Sequence, residues 1–124
     1  MGTKSILVVE DDHNIRVTLR NLLEHEGYAV ISAANGQDGL DLFKHIAPPS
    51  LVLLDLQMPI MDGLEFLAAK AAVPSIASIP VVVISAAPDA QRVIQGQVQG
   101  FVKKPIDHET LMGFVLRYCV TASP

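Results

Sequence analysis

Cysteine is nearly absent from this 124-residue chain, where Cys119 stands alone. One thiol excludes an internal disulfide, fits a reducing compartment, and near the end of an amphipathic stretch reads as a small apolar packing residue. Long hydrophobic runs are missing too. Half of the residues are hydrophobic (50%) and the mean hydropathy is +0.38, yet no run approaches the roughly 20 residues of a membrane span. Met1-Gly2-Thr3-Lys4 leads into a strand pattern without the apolar segment of a secretory signal. Ile6 stands where a myristoylation pattern needs Ser or Thr. A cytoplasmic protein with no membrane contact is expected. Basic charge is sparse, with 9 Lys and Arg against 13 Asp and Glu and a net charge of -4. No basic stripe is present, which argues against direct nucleic-acid binding. His13, His25, His45 and His108 share no metal-ligand spacing and are expected on the surface or at helix ends. No repeat, low-complexity tract or linker divides the chain. One domain over 1–124 is expected, with its core at about 4–118 and a tail or the start of a linker at 119–124.

What is present is an alternation of two patterns. Ile6-Leu7-Val8-Val9, Leu51-Val52-Leu53-Leu54 and Val81-Val82-Val83-Ile84 are short, β-branched-rich apolar runs, the pattern of parallel strands buried on both faces. The strands are expected at Ser5 to Val9, Tyr28 to Ala33, the Leu51 run, Ile79 to Ile84 and Phe101 to Lys103. Between them lie helical stripes. Ile15, Leu19, Leu22 and Leu23 mark a helix over roughly Asn14 to Glu26 that Gly27 ends. Asn35 caps a second helix carrying Leu40, Phe43 and Ile46, and Pro48-Pro49 stops it. Gly63 begins a third, and Asp107 caps the last, where Leu111, Phe114, Val115 and Tyr118 share one face. The fold class is α/β, a doubly wound five-stranded parallel sheet.

Polar groups stand immediately after the apolar runs: Glu10-Asp11-Asp12, Asp55, Ser85 and Lys104-Pro105. The carboxyl ends of strands in an open α/β sheet form the ligand crevice, so these groups meet in one acidic pocket. Crowded carboxylates repel, and a hard divalent cation relieves them. Mg²⁺ suits an open cup because it takes one or two carboxylates, keeps waters and bridges to phosphate oxygens. One carboxylate can then act as nucleophile on a phosphoryl group, with Lys104 and Ser85 neutralising its oxygens.

Val8-Val9-Glu10-Asp11-Asp12, the run Asp55-Leu56-Gln57-Met58-Pro59-Ile60-Met61-Asp62-Gly63, Ser85-Ala86 and Lys104-Pro105 together resemble the receiver domain of two-component response regulators. The resemblance covers about Lys4 to Tyr118, and the D-x-x-M-P-x-M-D-G run is its specific part. It implies the flavodoxin-like fold of the chemotaxis response regulator. It makes Asp55 the phosphoacceptor, and Asp11, Glu10, Asp55 and the Gln57 backbone carbonyl the Mg²⁺ ligands. Ser85 and Phe101 take the switch positions, and Lys104 the phosphoryl-binding lysine. Gln57, Ala86 and Ala87 are placed to govern phosphoryl access and lifetime, with Ala86 leaving the group open. The implied donor is a histidine kinase or histidine phosphotransfer protein. The implied output is a downstream protein or an attached domain, and a homodimer fits the family as well. Such a switch is no enzyme beyond its own phosphorylation and dephosphorylation.

Simpler readings exist for most of these residues. Helix capping suffices for Asp12, and Asp62-Gly63 reads as a turn and helix start; Lys103 reads as solvated. A phosphohydrolase using Asp55 would need a second acid two residues on, where Gln57 stands. A phosphorylation-independent interaction module would have lost the acids or the lysine. The chain departs from the family between Ser85 and Lys104, where Pro88 to Gly100 is glutamine-rich and poor in apolar anchors. The helix there is expected to be short or irregular, and the segment to be the most mobile part of the domain.

Overall fold

The computed structural model describes residues 4–86, 96 and 98–119. In chain order its elements are β1 (Ser5–Val9), α1 (His13–His25), β2 (Ala29–Ala33), α2 (Gly36–Leu42), β3 (Leu51–Asp55), α3 (Gly63–Ala71), α4 (Pro74–Ala77), β4 (Val81–Ser85), β5 (Gly100–Lys103) and α5 (His108–Tyr118). The five strands pair in parallel in the order β2-β1-β3-β4-β5. Nearly every residue of β1, β3 and β4 is buried. Central parallel strands need apolar side chains on both faces because helices cover both.

Successive side chains of a strand point to opposite faces, and the core divides accordingly. Ile6, Val8, Leu53, Val82, Ile84 and Val102 face α1 and α5, meeting Leu19, Leu23, Leu111 and Val115. Leu7, Val9, Val52, Leu54 and Val83 face the other way, onto Phe66 and Leu67 of α3, with Leu40 and Phe43 from the α2 region beside them. Cys119 is buried at the end of α5 in the first of these layers. Each long crossover helix thus buries its apolar stripe against alternate residues of the same strands.

Helix starts follow local chemistry. The side chains of Asp12, Asn35, Asp62 and Asp107 accept hydrogen bonds from the backbone N–H groups of Ile15, Asp38, Glu65 and Thr110. Glu65 returns the favour at Asp62, whose backbone N–H donates to Oε1 at 3.1 Å, completing a capping box. Lys103 is exposed, and the four histidines lie exposed at helix ends or in loops.

Besides shifts of a residue at several strand and helix ends, two boundaries and one added element differ from the sequence pattern. α2 ends at Leu42 because its last turn tightens to i to i-3 bonds, with Phe43, Lys44 and His45 donating to Leu40, Asp41 and Leu42. A one-turn helix, α4, starts on Pro74, whose missing N–H costs nothing at a first position. It delays β4 to Val81, since Ile79 still donates to Ile76 and Pro80 has no N–H to give the sheet. Most of Pro88 to Gly100, including the helix expected there, lies outside the described residues.

Ile60 is the one described residue other than glycine with a positive φ, 70°. Met61 N–H donates to Pro59 O at 2.7 Å across it, a γ-turn that β-branched residues rarely accept. The turn brings Met61 O to the N–H of Gly36 at 3.0 Å. A Cβ at Gly36 would lie 2.7 Å from that carbonyl, so glycine is what permits the contact.

Two outcomes test this account. Ile60 is 79% exposed, so Ile60→Asn sacrifices little burial and should raise stability by up to about 1 kcal/mol in chemical denaturation. A loss of that size would mean the conformation carries no strain. The carboxyl of Asp107 sits below its ordinary pKa because the Thr110 hydroxyl and backbone N–H bond the ionised form. A depressed carboxyl stabilises the fold above its unfolded pKa and loses that contribution as pH falls through the folded value. Asp107→Asn should therefore flatten the acid limb of the stability profile below about pH 4. An identical acid limb in both proteins would contradict it.

Candidate functional site at the carboxyl ends of the strands

Sheet register assembles the site. Val9 pairs with Leu54, Asp55 with Ile84, and Ser85 with Lys103. The residues at or just beyond these pairs, Glu10, Asp55, Ser85 and Lys104, therefore line one edge of the sheet. Each is held by the backbone: Glu10 N–H donates to Ala33 O at 3.0 Å, and Lys104 N–H donates to Ser85 O at 3.0 Å.

Carboxylate oxygens of Glu10, Asp11 and Asp55 lie within 4.8 Å of one another. Glu10 is 2% exposed and Asp55 5%, while Asp11 opens to solvent. The Lys104 Nζ stands 3.0 Å from Glu10 Oε1 and 3.6 Å from Asp55 Oδ1. The ammonium thus pairs with two of the three carboxylates. Glu10 Oε2 accepts the Asp12 N–H at 3.1 Å, and Gln57 N–H reaches Asp55 Oδ1 at 3.4 Å. Glu10 Oε1 has the ion-pair contact but no hydrogen bond of good alignment, the one such buried side-chain atom among the described residues.

The acid-base balance reflects this crowding. Burial pushes the Glu10 carboxyl up to about 7, against the bonds from Asp12 and Lys104 that lower it. Burial likewise raises Asp55, with Lys104 opposing. Lys104 is pulled down by its own burial but raised on balance by the hydrogen bond and charge of Glu10 and the charge of Asp55. Two nearly buried carboxyls held above their ordinary range mark a site short of positive charge. Three oxygen donors open on one side, among them a buried Glu10 oxygen whose contact is the Lys104 ion pair, fit a hard divalent cation.

Glu10, Asp11, Asp55 and Lys104 thus come together, and Ser85, fully buried, lies at the next strand end. Gln57 and Ala86 are exposed, whereas Ala87 lies outside the described residues. Phe101 is half-buried against the second layer and pairs with Val83, two residues before Ser85. Asp62 caps α3, as its sequence context suggests.

Two neighbours escape a reading of motifs. Arg16 of α1 donates from Nη1 to the carbonyl oxygens of Glu10 and Asp11 at 2.8 and 3.3 Å. Its signal is a cation in the opening turns of a helix, where the macrodipole disfavours it. The Ile60 turn carries no sequence signal, since isoleucine argues against a positive φ.

Comparison with known proteins gives one answer. The sequence profile of the response regulator receiver domain matches residues 6–115. The polar-differentiation response regulator DivK of Brucella ovis is 34% identical over 107 residues, covering 84% of this chain and 86% of its own. The chemotaxis response regulator CheY4 of Vibrio cholerae superimposes with a TM-score of 0.84 at 26% identity, covering 94% of this chain and 99% of its own. The receiver domain of a Pseudomonas aeruginosa sensor histidine kinase, solved with a magnesium ion coordinated in its active site cleft, shares the fold with a TM-score of 0.87 at 21% identity, covering 97% and 100%. The chain belongs to the response regulator receiver domain family, the phosphorylation-controlled signalling switches of two-component systems.

Proposed function

We propose that this chain is a single receiver domain whose Asp55 accepts a phosphoryl group from a phosphohistidine donor, a histidine kinase or a histidine phosphotransfer protein. The observation that carries the reading is the convergence of Glu10, Asp11 and Asp55 within 4.8 Å, with Lys104 3.0 and 3.6 Å from two of them. An Asp55 carboxylate oxygen attacks phosphorus, forming an O–P bond as the P–N bond to the donor imidazole breaks. The leaving imidazole keeps the electron pair. Lys104 pairs with the oxygens of the transferred group, and the Ser85 hydroxyl donates to one of them.

Asp11, Asp55, Glu10 and the backbone carbonyl of Gln57 would hold Mg²⁺, which supplies positive charge to the phosphoryl oxygens when bound. The open face beside Ala86 lets a partner protein and water reach the acyl phosphate, and Gln57 is the side chain placed to influence its hydrolysis. Catalysis is confined to the domain's own phosphorylation and dephosphorylation. Ser85 and Phe101 carry the change to the surface that an output protein or an attached domain reads. The protein acts in the cytoplasm, without direct contact with nucleic acid. Among the described residues, no helix is long and apolar enough to cross a membrane.

Acetyl phosphate with Mg²⁺ should add one phosphoryl group to the protein and none to Asp55→Asn, read by intact mass. An equal adduct on the variant would reject Asp55 as the acceptor. Asp11→Asn should weaken Mg²⁺ binding severalfold while leaving the fold intact, because it removes one like charge from a crowded cup. Unchanged affinity by calorimetric titration would take Asp11 out of the metal shell.

A further inference from the structure

The amino end of a helix is an unfavourable place for a cation, since the macrodipole presents its positive end there. Arg16, half-buried on the opening turns of α1, overcomes that by folding back onto the loop before the helix. Its Nη1 donates to Glu10 O at 2.8 Å and to Asp11 O at 3.3 Å. Its Nη2 lies 3.3 Å from His13 Nδ1, and because a guanidinium only donates, the imidazole nitrogen accepts. The same loop is closed by Asp12 N–H on Glu10 Oε2 at 3.1 Å and by Arg16 N–H on Asp12 O at 2.9 Å.

Peptide groups are planar, so anchoring the carbonyl oxygens of Glu10 and Asp11 fixes the planes on either side of the Asp11 Cα. That fixes the direction in which the Asp11 side chain leaves the backbone. Asp11 needs such help. Glu10 and Asp55 are buried and held by their strands, whereas Asp11 is exposed in the connecting loop.

We propose that Arg16 is a positioning residue for the acid pair, orienting the Glu10 and Asp11 peptide groups so that the Asp11 carboxylate meets Glu10 and Asp55 ready for a divalent cation. The proposal rests on the magnesium-dependent reading given above for the same site. What matters is a planar guanidinium held at two points, with Nη1 on both carbonyls and Nη2 on His13, and lysine, a point donor on a flexible stem, does not reproduce it.

Charge and position make opposite demands here, which gives the test its sign. Through space, the guanidinium repels Mg²⁺, so a purely electrostatic role predicts tighter binding in Arg16→Met and little change in Arg16→Lys. The positioning role predicts weaker binding in both, by about tenfold or more, as for other residues that orient metal ligands. Calorimetric Mg²⁺ titration of the wild type and both variants is the primary measurement, with amide exchange of Asp12 in the metal-free proteins as the second. Weaker binding together with faster Asp12 exchange in Arg16→Lys supports the proposal. Wild-type affinity in Arg16→Lys overturns it, as does tighter binding in Arg16→Met, or a lowered melting temperature with unchanged affinity. If Arg16→Met does not fold, Arg16→Lys decides. Should the wild type bind no Mg²⁺, the phosphoryl-switch reading fails. Asp12 exchange then judges Arg16 alone, and an unchanged rate overturns its role.

Discussion

Repulsion among three carboxylates at the ends of adjacent strands is the constraint around which the rest of this structure is organised. Glu10 and Asp55 sit almost wholly out of water beside Asp11, and Lys104, the one ammonium paired with them among the described residues, cannot neutralise all three. Left to relax, such groups would swing apart into solvent. They stay because β1 and β3 are anchored on both faces, with Leu7, Val9, Val52 and Leu54 on one side and Ile6, Val8, Leu51 and Leu53 on the other. A few kcal/mol of local frustration is small against the burial of two such layers. The apolar strands are therefore the mechanical support of the chemistry as well as the core.

Topology decides which strand ends meet. The chain leaves β1 toward β2 on one flank and returns to place β3 on the other, in the order β2-β1-β3-β4-β5. The crevice opens where the connections diverge, and the β1 and β3 acids stand on its two lips. Parallel register then does the fine placement. With Val9 opposite Leu54, the residue after each is an acid facing an acid. A one-residue slip of either strand would exchange its residues between the two apolar layers, spoiling the packing of both, and would carry one acid out of line with the other. The packing of the two layers that holds the register thus also holds the spacing of the carboxylates.

Much of this was legible in the sequence because it is written in apolar periodicity and in polar residues at strand ends. Glu10, Asp11, Asp55 and Ser85 follow or end runs that are buried almost throughout, and Lys104 follows the short Phe101-Val102 run, so their convergence follows from the fold class. The caps Asp12, Asn35 and Asp107 were legible for a related reason, being local hydrogen-bond acceptors one turn before the groups they serve. What escaped depends on backbone details that no periodicity encodes. The turn at α4 arises from Pro74 and Pro80 acting on both sides of Ile76, and the early end of α2 from a tightened last turn before Ile46. The positive φ of Ile60 runs against its own residue preference and exists because Met61 docks onto Gly36. Arg16 is an exposed-looking helical arginine until the path of the preceding loop is known.

The electrostatics also explain why a switch of this kind depends on a cation. An aspartyl phosphate would place roughly one and a half to two negative charges where the Asp55 carboxylate carried one, in a cup in which burial already resists the ionisation of Glu10 and Asp55. Without added positive charge, Lys104 would have to serve the phosphoryl group and Glu10 at once. A divalent cation held by the acids, as proposed, would remove that competition, and metal and phosphoryl group would then favour each other by the same factor in both directions. Under the proposed assignment, Lys104 then redistributes its contacts from Glu10 toward the phosphoryl oxygens. Its own backbone N–H is bonded to the Ser85 carbonyl, which ties the lysine's backbone to the end of β4. β4 pairs with β5 at Val83 and Phe101, and Phe101 lies half-buried beside that pairing. Under the same assignment, charge added at Asp55 lies one lysine and one strand pair away from an aromatic side chain that is half-buried.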